Sequence, residues 1–150
     1  MDEMFMKLAL SEAKEAEKKD EVPVGAIIVK DGIVIARAHN IRESTKDSTA
    51  HAELLAIRKA CKALDSWRLT GCEMYVTLEP CLMCSGAILL SRIDKLYIGT
   101  MDPKSGAVGS VIDVFRDYWF HHKCEVEAGI LQDECSMILK TFFKKKRESV

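Results

Sequence analysis

The chain has 150 residues, 48% of them hydrophobic, with 22 basic against 23 acidic side chains and a net charge of −1. That length fits one domain, residues 1–150, around a single sizeable core, and the balanced charge excludes a globally basic nucleic-acid-binding surface, leaving only a local patch for such a role. No apolar run approaches the ~20 residues of a membrane span, and Met1-Asp2-Glu3-Met4 is acidic where a secretory signal would be basic. A cytoplasmic protein with no membrane partner and six reduced cysteines is therefore expected.

Phe5, Leu8, Ala9 and Ala16 recur at helical spacing among lysines and glutamates, which predicts an amphipathic first helix ending near Asp20. Val24 to Lys30 and Ile33 to Arg37 are β-branched apolar runs joined by Asp31-Gly32, a strong hairpin signal. A polar loop from Asn40 to Thr49 follows, with Thr49 as expected N-cap of a helix from about Ala50 to Leu64. Glu73 to Leu78 reads as a buried strand, Cys81 to Ser91 as a helix and Lys95 to Gly99 as a strand, the alternation of βαβ units. The expected fold is therefore α/β, a mixed sheet with helices on both faces. Asp102 to Ser110, with Pro103, Gly106 and Gly109, reads as a loop of the kind that carries function. Cys135, Ile138, Leu139 and Phe142 mark a last amphipathic helix near 132–147, whose end carries Lys144, Lys145, Lys146 and Arg147.

The chemistry concentrates in two motifs, His51-Ala52-Glu53 and Pro80-Cys81-Leu82-Met83-Cys84. One imidazole and two thiols can hold zinc tetrahedrally and leave the fourth position to water, while a carboxylate two residues from the histidine can move that water's protons. Both motifs fall at expected helix starts, where the helix dipole and unpaired backbone N–H groups stabilise thiolates. His51 and Glu53 lie about 200° apart around an ideal helix, so a metal must sit off the helix end. A Cys-x-x-Cys alone could equally be a redox pair, half of a structural zinc knuckle or two buried thiols. A structural site would need a fourth protein ligand, for which Cys61 or Cys72 are the candidates, and would leave Glu53 without a task.

With these motifs the chain resembles the zinc-dependent nucleobase deaminases of the cytidine/deoxycytidylate superfamily, and within them the bacterial tRNA-specific adenosine deaminases. The resemblance runs from about Phe5 to Arg147. It is carried by Glu21-Val22-Pro23-Val24-Gly25-Ala26, His39-Asn40, Thr49-Ala50-His51-Ala52-Glu53, Tyr75 to Ala87, Asp102-Pro103-Lys104-Ser105-Gly106 and Phe142-Phe143. It implies a three-layer α/β/α fold with a five-stranded mixed sheet, and one zinc ion per subunit on His51, Cys81 and Cys84, with no organic cofactor. It further implies that hydroxide on that zinc attacks C6 of the wobble adenosine in a tRNA anticodon stem-loop, with an arginine tRNA the expected substrate. Glu53 would shuttle the protons.

Further roles follow from the same resemblance. Asn40 would hydrogen-bond the flipped base, Val24 and Ala52 would wall its pocket, and Asp102 would contact a neighbouring ribose. A homodimer is implied as well. Lys104, Phe142, Phe143, Lys146 and Arg147 are expected RNA contacts, since aromatics followed by cations suit single-stranded RNA. Two departures from the family stand out. Ser48 occupies the place of a usual proline, and Phe115 to Lys123 does not match, its Tyr118, Trp119, His121 and His122 reading as aromatic packing or RNA contacts. The competing readings are a deaminase of free guanine, cytosine or deoxycytidylate, which needs no basic last helix, and a zinc-stabilised RNA-binding protein without chemistry.

Overall fold

The computed structural model describes residues 2–117 and 122–149. The chain runs α1 (Asp2–Lys18), β1 (Gly25–Lys30), β2 (Ile33–His39), α2 (Arg42–Thr45), α3 (Ala52–Leu64), β3 (Cys72–Leu78), α4 (Leu82–Leu90), β4 (Lys95–Thr100), α5 (Val114–Asp117), β5 (Glu125–Ala128) and α6 (Gln132–Glu148). One five-stranded sheet has the order β2-β1-β3-β4-β5. β1 pairs antiparallel with β2 and β3, while β3, β4 and β5 run parallel. The expected α/β fold with a mixed five-stranded sheet is the observed one. No helix among the described residues is long and apolar enough to cross a membrane.

The hairpin turns where expected. Asp31 and Gly32 take φ of 51° and 76°, and the last pair before the turn is Lys30 with Ile33. Positive φ at both central residues is what a two-residue turn needs to match the strand twist, and Asp-Gly adopts it at little cost. Period-2 alternation then splits the sheet residues between two cores. Ala26, Ile28, Met74, Val76, Leu96 and Ile98 face α3 and α4, whose Ala52, Ala56, Ala60 and Ile88 pack against them. Ile27, Val29, Tyr75 and Tyr97 face α1 and the start of α6, meeting Phe5, Met6, Ala9 and Cys135. Tyr75 and Tyr97 are register partners and stack at 4.3 Å with rings 2° apart. Each large side chain buried this way contributes roughly 1.5–3 kcal/mol.

α1 sits so close to β1 that a Cβ on Gly25 would fall against the Ala9 carbonyl and 2.6 Å from the Ala13 nitrogen, both backbone atoms that cannot step aside. Gly25→Ala should therefore destabilise the protein by about 3 kcal/mol, read as a lower urea midpoint at unchanged m-value. A loss under about 0.5 kcal/mol would mean that α1 is not seated this closely.

Several boundaries differ from the sequence reading for identifiable reasons. Thr49 is not the N-cap of α3: that residue is His51, and the Thr49 hydroxyl instead donates to Asp47 Oδ1 at 2.7 Å. Asp47 Oδ1 also accepts the Thr49 N–H at 2.8 Å, so an Asx turn shapes the chain around Ser48. The 40–49 loop contains the one-turn helix α2, whose first N–H groups are capped from a distance by the buried Glu21 carboxylate. The fifth strand of the expected sheet is β5, a segment that the reading of elements along the chain does not place. Its alternating Glu125-Val126-Glu127-Ala128 is only four residues long and exposed throughout, and it exists by pairing with β4 at the sheet edge.

Cys72, Cys124 and Cys135 are buried, Cys61 is half-buried, and all are free thiols. Tyr118, Trp119 and His121 lie outside the described residues. The His122 ring donates through Nε2 to the Ile93 carbonyl at 2.6 Å, a contact within the fold.

Candidate active site

β3 and β4 end, β1 begins and β2 ends at the same edge of the sheet. Open α/β sheets bind ligands beyond the carboxyl ends of their parallel strands, and this edge carries Val24, Asn40, Glu79 and Asp102 in the connections just beyond the strands. α3 and α4 both start here. His51 is the N-cap of α3 and Cys81 of α4, each in extended backbone with no side-chain cap bond, so both side chains are free to turn toward each other. The two positive helix ends converge on the same point.

The imidazole and the two thiols meet there. Nδ1 of His51 lies 3.7 Å from Cys81 Sγ and 3.5 Å from Cys84 Sγ, and the three ligand atoms all fall within 4.8 Å of one another. Tetrahedral zinc, with bonds of about 2.3 Å to sulfur and about 2.0 Å to nitrogen, separates N and S by about 3.6 Å. Both nitrogen–sulfur distances match that separation, so the trio fits a zinc ion. Cys61 and Cys72 stand elsewhere: Cys61 near the far end of α3, bonded to the Trp67 carbonyl, and Cys72 at the opposite end of β3. Among the described residues the cluster holds three protein ligands, the number of a catalytic rather than a closed structural site.

Electrostatics agree with that fit. The Cys84 S–H and the His51 ring stabilise a thiolate on Cys81, lowering its pKa to about 4, while Cys84, beside that thiolate and buried, is pushed up. His51 is raised by its bond to Cys81. Glu53, one residue into α3 and 4% exposed, is pushed up to about 7, chiefly by burial and further by the Cys81 charge. A carboxyl poised near neutrality can both take and give a proton at working pH.

A cleft of about 720 Å³ opens from this cluster. Val24, Asn40, Ala52 and Asp102, the four residues expected to hold substrate, all line it together with His51, Glu53 and Cys81. Oδ1 of Asn40 is, among the described residues, a buried side-chain polar atom with no partner, an arrangement that costs roughly 1–3 kcal/mol unless a ligand satisfies it. Asp102 uses Oδ1 to accept the backbone N–H groups of Lys104 and Ser105 at 3.0 and 3.3 Å, forming a turn at the rim.

The far wall is one stripe of α6: Ser136, Leu139, Lys140, Phe143 and Arg147. Of the expected RNA contacts, Phe143, Arg147 and Lys104 line the cleft, and Phe142 and Lys146 do not. Phe142 is 6% exposed, packed into the core, and Lys146 projects from another side of the helix to pair with Asp20. Arg42 and Lys140, which the sequence reading passed over, join Lys104 and Arg147 as the cations of the cleft. The i, i+4, i+7, i+11 spacing from Ser136 could have selected Lys140 over Lys146.

Comparison with known proteins gives the same picture. Residues 1–100 match the model of the cytidine and deoxycytidylate deaminase zinc-binding region. The tRNA-specific adenosine deaminase of Bacillus subtilis (strain 168) is 51% identical over 147 residues, covering 98% of this chain and 91% of its own. A solved structure from work on A-to-I editing by tRNA:A34 deaminases superposes with a TM-score of 0.88 at 50% identity, over 91% of this chain and 99% of that one. A guanine deaminase structure from Nitrosomonas europaea follows at 26% identity and a TM-score of 0.80, over 93% of this chain and 83% of that one.

Proposed function

The chain belongs to the cytidine and deoxycytidylate deaminase family, and on that premise we propose that it hydrolyses adenosine to inosine at the wobble position of a tRNA anticodon. The observation that carries this reading is the continuity of one cleft from the His51, Cys81 and Cys84 cluster to a wall of Arg42, Lys104, Lys140, Phe143 and Arg147. A free base would use only the inner end. Cations and an aromatic ring along the outer end suit the phosphates and unstacked bases of a single-stranded loop. The relatives near 50% identity are named for that reaction on tRNA.

In the proposed mechanism the anticodon loop presents its adenosine outside a duplex, so unstacking costs little. Val24 and Ala52 wall the base, and the orphan acceptor of Asn40 takes a hydrogen bond from its edge. His51, Cys81 and Cys84 would hold a zinc ion, which when bound would supply an acidified water beside Glu53. Glu53 would take one proton of the water and pass it to purine N1 as the water oxygen bonds to C6. Glu53 would then take the second proton, from the new C6 hydroxyl, and pass it to the amine as the C6–N bond breaks, so that C6 becomes a carbonyl, water is consumed and ammonia is released. Asp102 at the rim is placed to meet the ribose of the next nucleotide.

A homodimer fits the outer surface of α4, where Leu82, Met83 and Leu90 are exposed on a helix that is apolar on both sides. A tRNA substrate makes the cytoplasm the working compartment. The test is to offer zinc-loaded protein an anticodon stem-loop with wobble adenosine beside free adenosine, cytosine and guanine. Inosine should appear in the RNA alone, and turnover confined to a free base would overturn the proposal.

A further inference from the structure

The rims of the cleft are two irregular connections, residues 40–51 and 101–113, and each is tied to a buried carboxylate from a separate part of the chain. Glu79 is 2% exposed. Its Oε1 accepts the N–H of Asp102 at 2.9 Å and the Ser110 hydroxyl; its Oε2 accepts the N–H groups of Val108 and Ser110 at 2.9 and 3.1 Å. Gly106 lies directly against this carboxylate, so closely that a Cβ there would run into it. Glu21 is fully buried and does the same for the other rim, accepting the N–H groups of Glu43 and Ser44 at 2.9 and 2.6 Å.

Among the described residues neither carboxylate pairs with a cation. Their charge is met by main-chain N–H and hydroxyl donors. A salt bridge holds a flexible side chain, whereas a carboxylate gathering N–H groups across nine residues fixes the path of the backbone itself. The path so fixed places Asp102 and Lys104 on one rim, and Asn40 and Arg42 sit at the base of the other.

We propose that Glu79 and Glu21 are positioning residues for the RNA substrate, a pair of buried carboxylate staples that set the two lips of the cleft at the spacing the anticodon loop requires. Neither touches the reacting atoms. The role rests on the tRNA reading above for its substrate, but the stapling itself does not. Glu79→Gln keeps the volume and turns an NH₂ toward N–H donors, so part of the 101–113 rim is released. Gly106→Ala reaches the same end from the opposite side, with the charge intact and the rim displaced by a methyl group.

The experiment uses zinc-loaded full-length protein with the wobble-adenosine stem-loop, and reads zinc content, KM, kcat and amide hydrogen exchange in residues 101–113. For Glu79→Gln and for Gly106→Ala, KM should rise roughly 10-fold or more, with kcat within about threefold of the parent. One zinc per chain should be retained, and exchange should quicken in residues 101–113 while the strands stay protected. Glu21→Gln should quicken exchange in residues 42–45 instead. If exchange and KM are unchanged in both rim variants, or if KM rises only together with loss of zinc, the staples are not positioning devices. A parent protein inert on the stem-loop would sink the tRNA reading, and the exchange result would still decide whether the carboxylates hold the rims.

Discussion

Glu53→Gln is expected to bind zinc at one ion per chain, melt within a few degrees of the parent, and lose turnover on the anticodon stem-loop by about 10²- to 10⁴-fold, the usual worth of a positioned acid–base group. The reasoning is local. Glu53 is the buried carboxyl next to the metal cluster and is not part of it, so an amide of equal size leaves His51, Cys81 and Cys84 untouched. What it removes is the ability to hold a proton and release it. Because burial already pushes this carboxyl up to about 7, neutralising it costs the fold little, and the loss should appear in kcat with KM nearly constant. Turnover at a normal rate would transfer the proton-shuttle role to another group.

Cys84→Ala is expected to act one step earlier, by removing the metal. Its sulfur is fully buried, 3.5 Å from His51 Nδ1, and two protein ligands cannot replace the three of the intact site. Zinc measured after dialysis should fall from one per chain to near zero, and deamination should be undetectable. The scaffold should survive, because both cores are built from side chains of the sheet, α1, α3, α4 and α6, and the truncation leaves only a small void costing about 1 kcal/mol. Cys72→Ala is the matched control: an equally buried thiol at the other end of β3, whose loss should leave zinc and activity in place. Retention of zinc by Cys84→Ala, or its loss from Cys72→Ala, would mean the ligands have been misassigned.

Local chemistry was legible in the sequence, and rotational phase and remote partners were not. Asp31-Gly32 declared its turn because two adjacent residues decide it. The strands declared themselves because Ala26 to Val29 and Met74 to Val76 are apolar on both faces, as strands sandwiched between helices must be. His51, Glu53, Cys81 and Cys84 were found because zinc chemistry constrains residue type and spacing tightly. The run Phe142 to Arg147, by contrast, reads as one undivided patch until the helix is rotated against the core, and packing of Leu139 and Phe142 is what turns Phe143 and Arg147 to the cleft and Lys146 away from it. Glu21 and Glu79 lie 22 and 23 residues from the first N–H groups they hold, so no local pattern could announce them. β5 is legible only from its neighbour, since nothing in its own four exposed residues asks to be buried.

The ligand trio also bears on how the chain folds. Cys81 and His51 are 30 residues apart, on different helices, with β3 between them. An ion joining them closes a loop as a disulfide would, and a cross-link of that span restrains the unfolded ensemble by about 4 kcal/mol on the chain-entropy model. Metal supply and folding are thus thermodynamically linked: zinc bound to the native chain draws the population out of the unfolded pool in proportion to its free concentration. For this protein the ion is therefore a reagent and a clasp at once, and scarcity of zinc would lower the abundance of folded chain as well as its rate of turnover.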